Sequence, residues 1–143
     1  MVQIPVYSGA TTSPTVNEGS TAVDSVTIVD TDGSDVNACV LSGDDNGLFT
    51  CTATDSSYTL AFTNAPNYDS GTACDSGNTC DVTVTINDGV NNGAAVAYTI
   101  TIADINDITP TYAATDANPT ITEGTTAVES VTITDADTDA VDD

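Results

Sequence analysis

Residues 14–32 read PTVNEGSTAVDSVTIVDTD, and residues 119–137 read PTITEGTTAVESVTITDAD. The two stretches align without a gap, and the register holds upstream, where Pro5 and Tyr7 match Pro110 and Tyr112. Roughly half of the residues over the shared span are identical. A period near a hundred residues is the size of a domain, far too long for one turn of a solenoid. The 143-residue chain therefore divides into a complete unit, 1–109, and the first third of a second, 110–143. A fragment of that length has too few strands to close a sandwich by itself. The second segment is thus expected either to dock on a neighbouring chain by strand addition or to be a tandem array cut across, and the second option is preferred. The opening Met1-Val2-Gln3-Ile4 lacks a cationic, apolar leader, and the repeat favours an internal window of a longer protein.

Inside the full unit, short runs of Val, Ile and Thr alternate with polar residues at a period of two, the mark of a half-buried strand. The runs are 14–17, 22–29, 36–41, 47–53, 57–63, 81–87 and 94–102, separated by Gly, Asn, Asp and Ser clusters at 32–33, 42–47 and 87–89. No window carries a helical period. About seven short strands in roughly a hundred residues predict an all-β, Greek-key β-sandwich of the immunoglobulin-like kind. The expected core is Val26, Ile28, Val40, Leu48, Phe49, Leu60, Phe62, Val82, Val84, Ile86, Tyr98, Ile100 and Ile102.

Charge narrows the partners. There are 22 acidic side chains and no Lys, Arg or His, for a formal charge of -22. No internal salt bridge between side chains can form, and the carboxylates repel one another unless salt or bound cations screen them. Nucleic acid and direct contact with anionic membranes are excluded, because both need Lys or Arg. A hard cation, Ca²⁺, is the natural partner; the bland alternative is an acidic, salt-adapted surface with no specific ion site. Glu occurs only at Glu18, Glu123 and Glu129. The rest are Asp, which suits turns and short-reach ligation. An enzyme is disfavoured: there is no His or Lys to serve as base. A carboxylate-only glycosidase would want aromatic walls, and aromatics are 5% with no Trp.

Cys39, Cys51, Cys74 and Cys80 are even in number, which in a small β-rich chain indicates disulfides and an oxidising, extracellular or cell-surface compartment. Zinc would want C-x-x-C pairs or His. Three pairings are open to four cysteines; proximity in sequence favours Cys39–Cys51 across a hairpin and Cys74–Cys80 closing a loop.

Residues 104–110, Asp-Ile-Asn-Asp-Ile-Thr-Pro, lie between the last strand of the first unit and the start of the second. Short oxygen-bearing side chains at such a junction suit a cation that takes roughly six to eight oxygens, and equally suit an Asx-rich turn. The segment resembles the inter-repeat linker of cadherins, DxNDNxP, at Asp104, Asn106, Asp107 and Pro110, and departs from it at Ile108. Other marks follow in order: Asn17-Glu18-Gly19; Asp30-Thr31-Asp32 and Asp135-Ala136-Asp137; Ala65-Pro66-Asn67-Tyr68-Asp69, with Asn and Asp substituted; and the strand 82–87 ending in Asp88. The resemblance implies tandem cadherin-like repeats and a calcium cluster at the junction. Its ligands would be Glu18, Asn67 and Asp69, then Asp104, the Ile105 carbonyl, Asn106 and Asp107, then Asp135 and Asp137. Asp30, Asp32 and Asp88 would serve a preceding junction, expected to be empty because Met1 to Ile4 carry no Asp or Asn in the linker register.

The function expected is a calcium-rigidified repeat of an extracellular stalk, fibre or filament, with neighbouring repeats or identical subunits as partners. The alternative is a calcium-dependent adhesin that binds a partner through its repeat faces. Ser and Thr make up roughly a quarter of the chain, a composition compatible with O-linked glycans.

Overall fold

The computed structural model describes residues 4–30, 38–71, 73–113, 115–135 and 137. The chain forms two compact units, Met1–Asp104 and Ile105–Asp143.

Among the described residues the first unit holds eight strands: β1 (Val6–Ser8), β2 (Thr15–Asn17), β3 (Ala22–Val29), β4 (Ala38–Ser42), β5 (Phe49–Ala53), β6 (Ser57–Phe62), β7 (Thr79–Asn87) and β8 (Val96–Ala103). They make two four-stranded sheets, ordered β1-β3-β6-β5 and β2-β8-β7-β4. The alternation read from the sequence is the inward–outward alternation of these sheets. Val26 and Ile28 of β3, Tyr58, Leu60 and Phe62 of β6, Cys80, Val82, Val84 and Ile86 of β7, and Tyr98, Ile100 and Ile102 of β8 are all buried.

Three expectations need correction, and one strand adds to the expected seven. Val40 is 50% exposed and Leu48 is 38% exposed. On β4 it is Cys39 and Leu41 that pack against the core, so Val40 between them must face out. Leu48 closes a 3-10 turn (Asn46–Leu48) that precedes β5, and there the period of two does not hold. β1, a three-residue strand paired with β3, is too short to show any periodicity and was not anticipated. Finally, Cys39–Cys51 does form, with a Cα–Cα distance of 5.9 Å, but not across a hairpin. β4 and β5 are the edge strands of different sheets, so this disulfide ties the two layers together. Cys74–Cys80 closes its loop as expected.

The buried tyrosine hydroxyls and two acidic side chains find hydrogen-bond partners within the unit. A register shift between Ala22 and Asp24 marks an irregularity in β3, and bulges of this kind re-aim a side chain. The Asp24 Oδ2 accepts from the Tyr98 hydroxyl at 2.9 Å and from the Thr11 amide at 2.9 Å. The Tyr98 and Tyr58 hydroxyls are 2.8 Å apart. Asp45, also buried, accepts from the Asp75 amide at 2.9 Å and the Asp81 amide at 2.8 Å. It is held by backbone N–H groups where a chain without cations offers no counter-charge.

The second unit contains β9 (Thr111–Tyr112) and β10 (Ile133–Thr134), an antiparallel pair.

Candidate metal centre

The geometry at one end of the first unit follows from a single strand register. β2 and β8 run parallel, with Val16 opposite Ile102 and Asn17 opposite Ala103. Both strands end together, so the next residues, Glu18 and Asp104, emerge side by side. The Glu18 amide continues the ladder by donating to the Ala103 carbonyl at 3.0 Å. The loop between β6 and β7 is brought to the same end by the Gly19 amide, which donates to the Pro66 carbonyl at 3.0 Å. The Tyr68 amide donates to Glu18 Oε2 at 2.8 Å. These bonds deliver Asp69. One of its carboxylate oxygens lies within 4.8 Å of a Glu18 oxygen, and one lies within 4.8 Å of an Asp104 oxygen. Asn67, two residues earlier, is exposed, and its Oδ1 accepts the Ser70 amide at 2.9 Å in an Asx turn.

In the second unit, the Asp137 amide donates to Asp135 Oδ1 at 3.1 Å. Asp137 Oδ2 in turn accepts the Ile108 amide at 2.8 Å. Asp137 is thereby fastened to the linker segment that also holds Asn106 and Asp107, both exposed.

At the opposite end of the first unit, Asp30 follows β3 and Asp88 follows β7. Asp88 Oδ1 accepts the Val90 amide at 2.7 Å and the Asn91 amide at 2.5 Å, so this carboxylate shapes its own turn. Asp32 lies outside the described residues.

Carboxylates gathered this closely repel. At a separation near 4 Å each pair costs about 1 kcal/mol in bulk water and about 4 kcal/mol at the effective dielectric of a protein surface. The donors are all oxygen, short-armed and anionic, a set that fits a hard divalent cation and no soft one.

No protein-family model and no curated protein sequence matches the chain. Solved structures do. The chain superposes on human protocadherin-24 EC1-2 with a TM-score of 0.67 at 20% identity over 97% of its length. The fold is that of a cadherin extracellular domain. Human CDH23 EC21-23 gives a TM-score of 0.63 at 21% identity, and mouse cadherin-23 EC22-24 gives 0.62 at 24%, each over 95% of this chain. The chain spans 62% of the protocadherin-24 structure and 45% of each cadherin-23 structure.

Two features of this cadherin fold lay beyond the sequence reading. Asp45 is a buried loop anchor, although the run Gly43-Asp44-Asp45-Asn46-Gly47 reads as a solvated turn. Asn78, two residues before Cys80, holds the Tyr68 carbonyl through its Nδ2 at 3.2 Å; nothing in its local sequence points to that contact.

Proposed function

We propose that the chain is an extracellular structural repeat of a surface stalk, fibre or filament, stiffened by calcium at the junction between successive repeats, and that it is not an enzyme. The observation that carries this is the convergence of Glu18, Asp69 and Asp104 at the end of the first unit, next to the linker, in a chain with no cationic side chain. Glu18, Asn67 and Asp69 would hold the ion from the first repeat, Asp104, the Ile105 carbonyl, Asn106 and Asp107 from the linker, and Asp135 and Asp137 from the next. Calcium would supply the positive charge that lets these carboxylates stay together. The two disulfides support an oxidising compartment, and the fold supports neighbouring repeats or identical subunits as partners.

Thermal unfolding in chelator, in calcium, in matched magnesium and in matched sodium chloride tests the proposal. Calcium is expected to raise the midpoint far more than the other salts. A hundredfold excess over Kd corresponds to about 2.7 kcal/mol, and the double variant Asp104→Ala, Asp107→Ala should lose that gain. An equal rise in every salt would sink the calcium reading and leave an acidic sandwich whose charge is merely screened.

A further inference from the structure

Asn78 belongs to no ligand set, yet it joins the two chain segments that carry the central carboxylates. Its Nδ2 donates to the Tyr68 carbonyl at 3.2 Å, and Asp69 is the next residue. Its own carbonyl accepts the Ile102 amide at 2.9 Å, two residues before Asp104. Tyr68 in turn donates its amide to Glu18 Oε2 at 2.8 Å. One side chain and one peptide group therefore fix the Asp69 segment against the end of β8.

Asn78 is itself fixed from both sides. Behind it, the Cys74–Cys80 disulfide closes the loop, with Cα atoms 5.2 Å apart. Inside that loop, Cys74 and Gly77 exchange backbone hydrogen bonds at 2.8 and 3.0 Å. Gly77 has φ 80°, a left-handed turn conformation that glycine adopts without strain. Ahead of it, β7 begins at Thr79, paired with Thr101 of β8. The Tyr68 carbonyl, which also accepts the Gly71 amide at 2.9 Å, can only accept, so Nδ2 and not Oδ1 of Asn78 faces it.

We propose that Asn78 is a positioning residue for the Asp69–Asp104 pair, and that the Cys74–Cys80 loop holds it in place, so that cation affinity depends on this closed loop. The inference rests on the calcium reading of the same site. Asp69 and Asp104 are like charges within 4.8 Å. Without Asn78, the Gly19–Pro66 and Tyr68–Glu18 bonds still hold one side of the β6–β7 loop, but repulsion spreads the pair, and a cation must then close it at the expense of affinity. With Asn78 in place, the carboxylates are held together before the ion arrives. Groups that orient metal ligands in this way typically change affinity by about 10–100-fold when removed.

Calorimetric titration of calcium into the full chain tests this, comparing wild type with Asn78→Ala, with Cys74→Ser/Cys80→Ser and with Cys39→Ser/Cys51→Ser. The first two are expected to raise Kd by about 10–100-fold. The third variant, in which Cys39–Cys51 no longer ties the two sheets, should unfold at lower temperature with Kd unchanged. A general loss of stability would move all three alike. In chelator, amide exchange at Tyr68 should accelerate in Asn78→Ala while that at Val84 and Ile100 stays slow. A folded Asn78→Ala with wild-type Kd overturns the role of Asn78 and leaves the calcium reading standing. If that variant does not fold, wild-type Kd in Cys74→Ser/Cys80→Ser overturns the role of the loop. A wild-type chain with no calcium-specific heat overturns both this inference and the reading beneath it.

Discussion

Tyr98 is 1% exposed, and its hydroxyl is hydrogen-bonded to Tyr58 and Asp24. Burial pushes its ionisation far above the ordinary tyrosine range, and the Tyr58 and Asp24 contacts push the same way. Tyr58 is also pushed up, by burial first, with its bond to Tyr98 acting in the opposite direction. Each folded-state pKa lies above its unfolded value, near 10. Their contribution to stability is therefore complete below about pH 10 and shrinks as pH rises further, because the unfolded chain ionises and the folded one does not. Urea unfolding between pH 8 and 11 should show a flat region, then a fall approaching about 1.4 kcal/mol per pH unit for each of the two. Tyr98→Phe should remove one share of that slope. A second residue-scale prediction concerns Gly93, which is buried. A Cβ there would meet the Tyr7 hydroxyl, with Tyr7 Cζ at 2.8 Å and the Pro5 carbonyl at 3.1 Å. Tyr7 cannot yield without giving up the Ile86 amide, which it accepts at 3.1 Å. Gly93→Ala should cost about 1–3 kcal/mol by overpacking in the same assay, and a neutral substitution would show that Tyr7 has somewhere else to go.

At the scale of elements, strands with several alternating apolar residues were legible in the sequence. β3, β6, β7 and β8 bury the residues their periodicity marks. Phase failed on β4, where Val40 looked the more hydrophobic choice but Cys39 and Leu41 share the inward face. The candidate site was partly legible. Glu18 and Asp104 stand out as charged residues directly after strands, but only the parallel β2–β8 register brings them together. Such a register is a tertiary fact with no local signal. Asn78 was invisible for the same reason, since it acts through the backbone of Tyr68 and Ile102. The disulfides differ in kind as well. Cys39–Cys51 joins edge strands of opposite sheets across a sequence separation of 12, and Cys74–Cys80 closes one of 6. Loop closure in the unfolded chain suggests about 3 kcal/mol for the first and about 2 kcal/mol for the second. Cys39→Ser/Cys51→Ser should thus be the more destabilising pair in chelator, as read from urea midpoints. The reverse order would mean that the small loop supports more of the fold than its own closure.

At the scale of the molecule, the repeat allows two related sequences to be compared, one with a sandwich around it and one, among the described residues of 105–143, without. Local structure is reproduced closely. Tyr7 pairs with Ile28 in β1 and β3, and Tyr112 pairs with Ile133 in β9 and β10. The Thr11 amide donates to Asp24, and the corresponding Asp116 amide donates to Glu129 at 2.8 Å. Ser20 bonds back to Asn17 as Thr125 does to Thr122. Burial is not reproduced. Val16 and Ile28 are 5% and 3% exposed, whereas their counterparts Ile121 and Ile133 are 54% and 56% exposed. In the first unit, β6 covers the far edge of β3 and β8 pairs with β2; among the described residues of 105–143, nothing takes those places. A two-stranded ribbon without a covered face is marginal in water. Putting a charge at each member of a repeat pair separates local from tertiary stabilisation. Ile28→Asp buries an unpaired carboxylate and should abolish cooperative unfolding or lower it by more than about 4 kcal/mol. Ile133→Asp is expected to change the unfolding free energy of the first unit by no more than about 0.5 kcal/mol. Amides of the second unit should also exchange far faster than those of β7 and β8. If Ile133→Asp proved as damaging as Ile28→Asp, the open face of the second unit would have to be covered in solution, and strand addition from another chain would replace the tandem array as the better account of the segment.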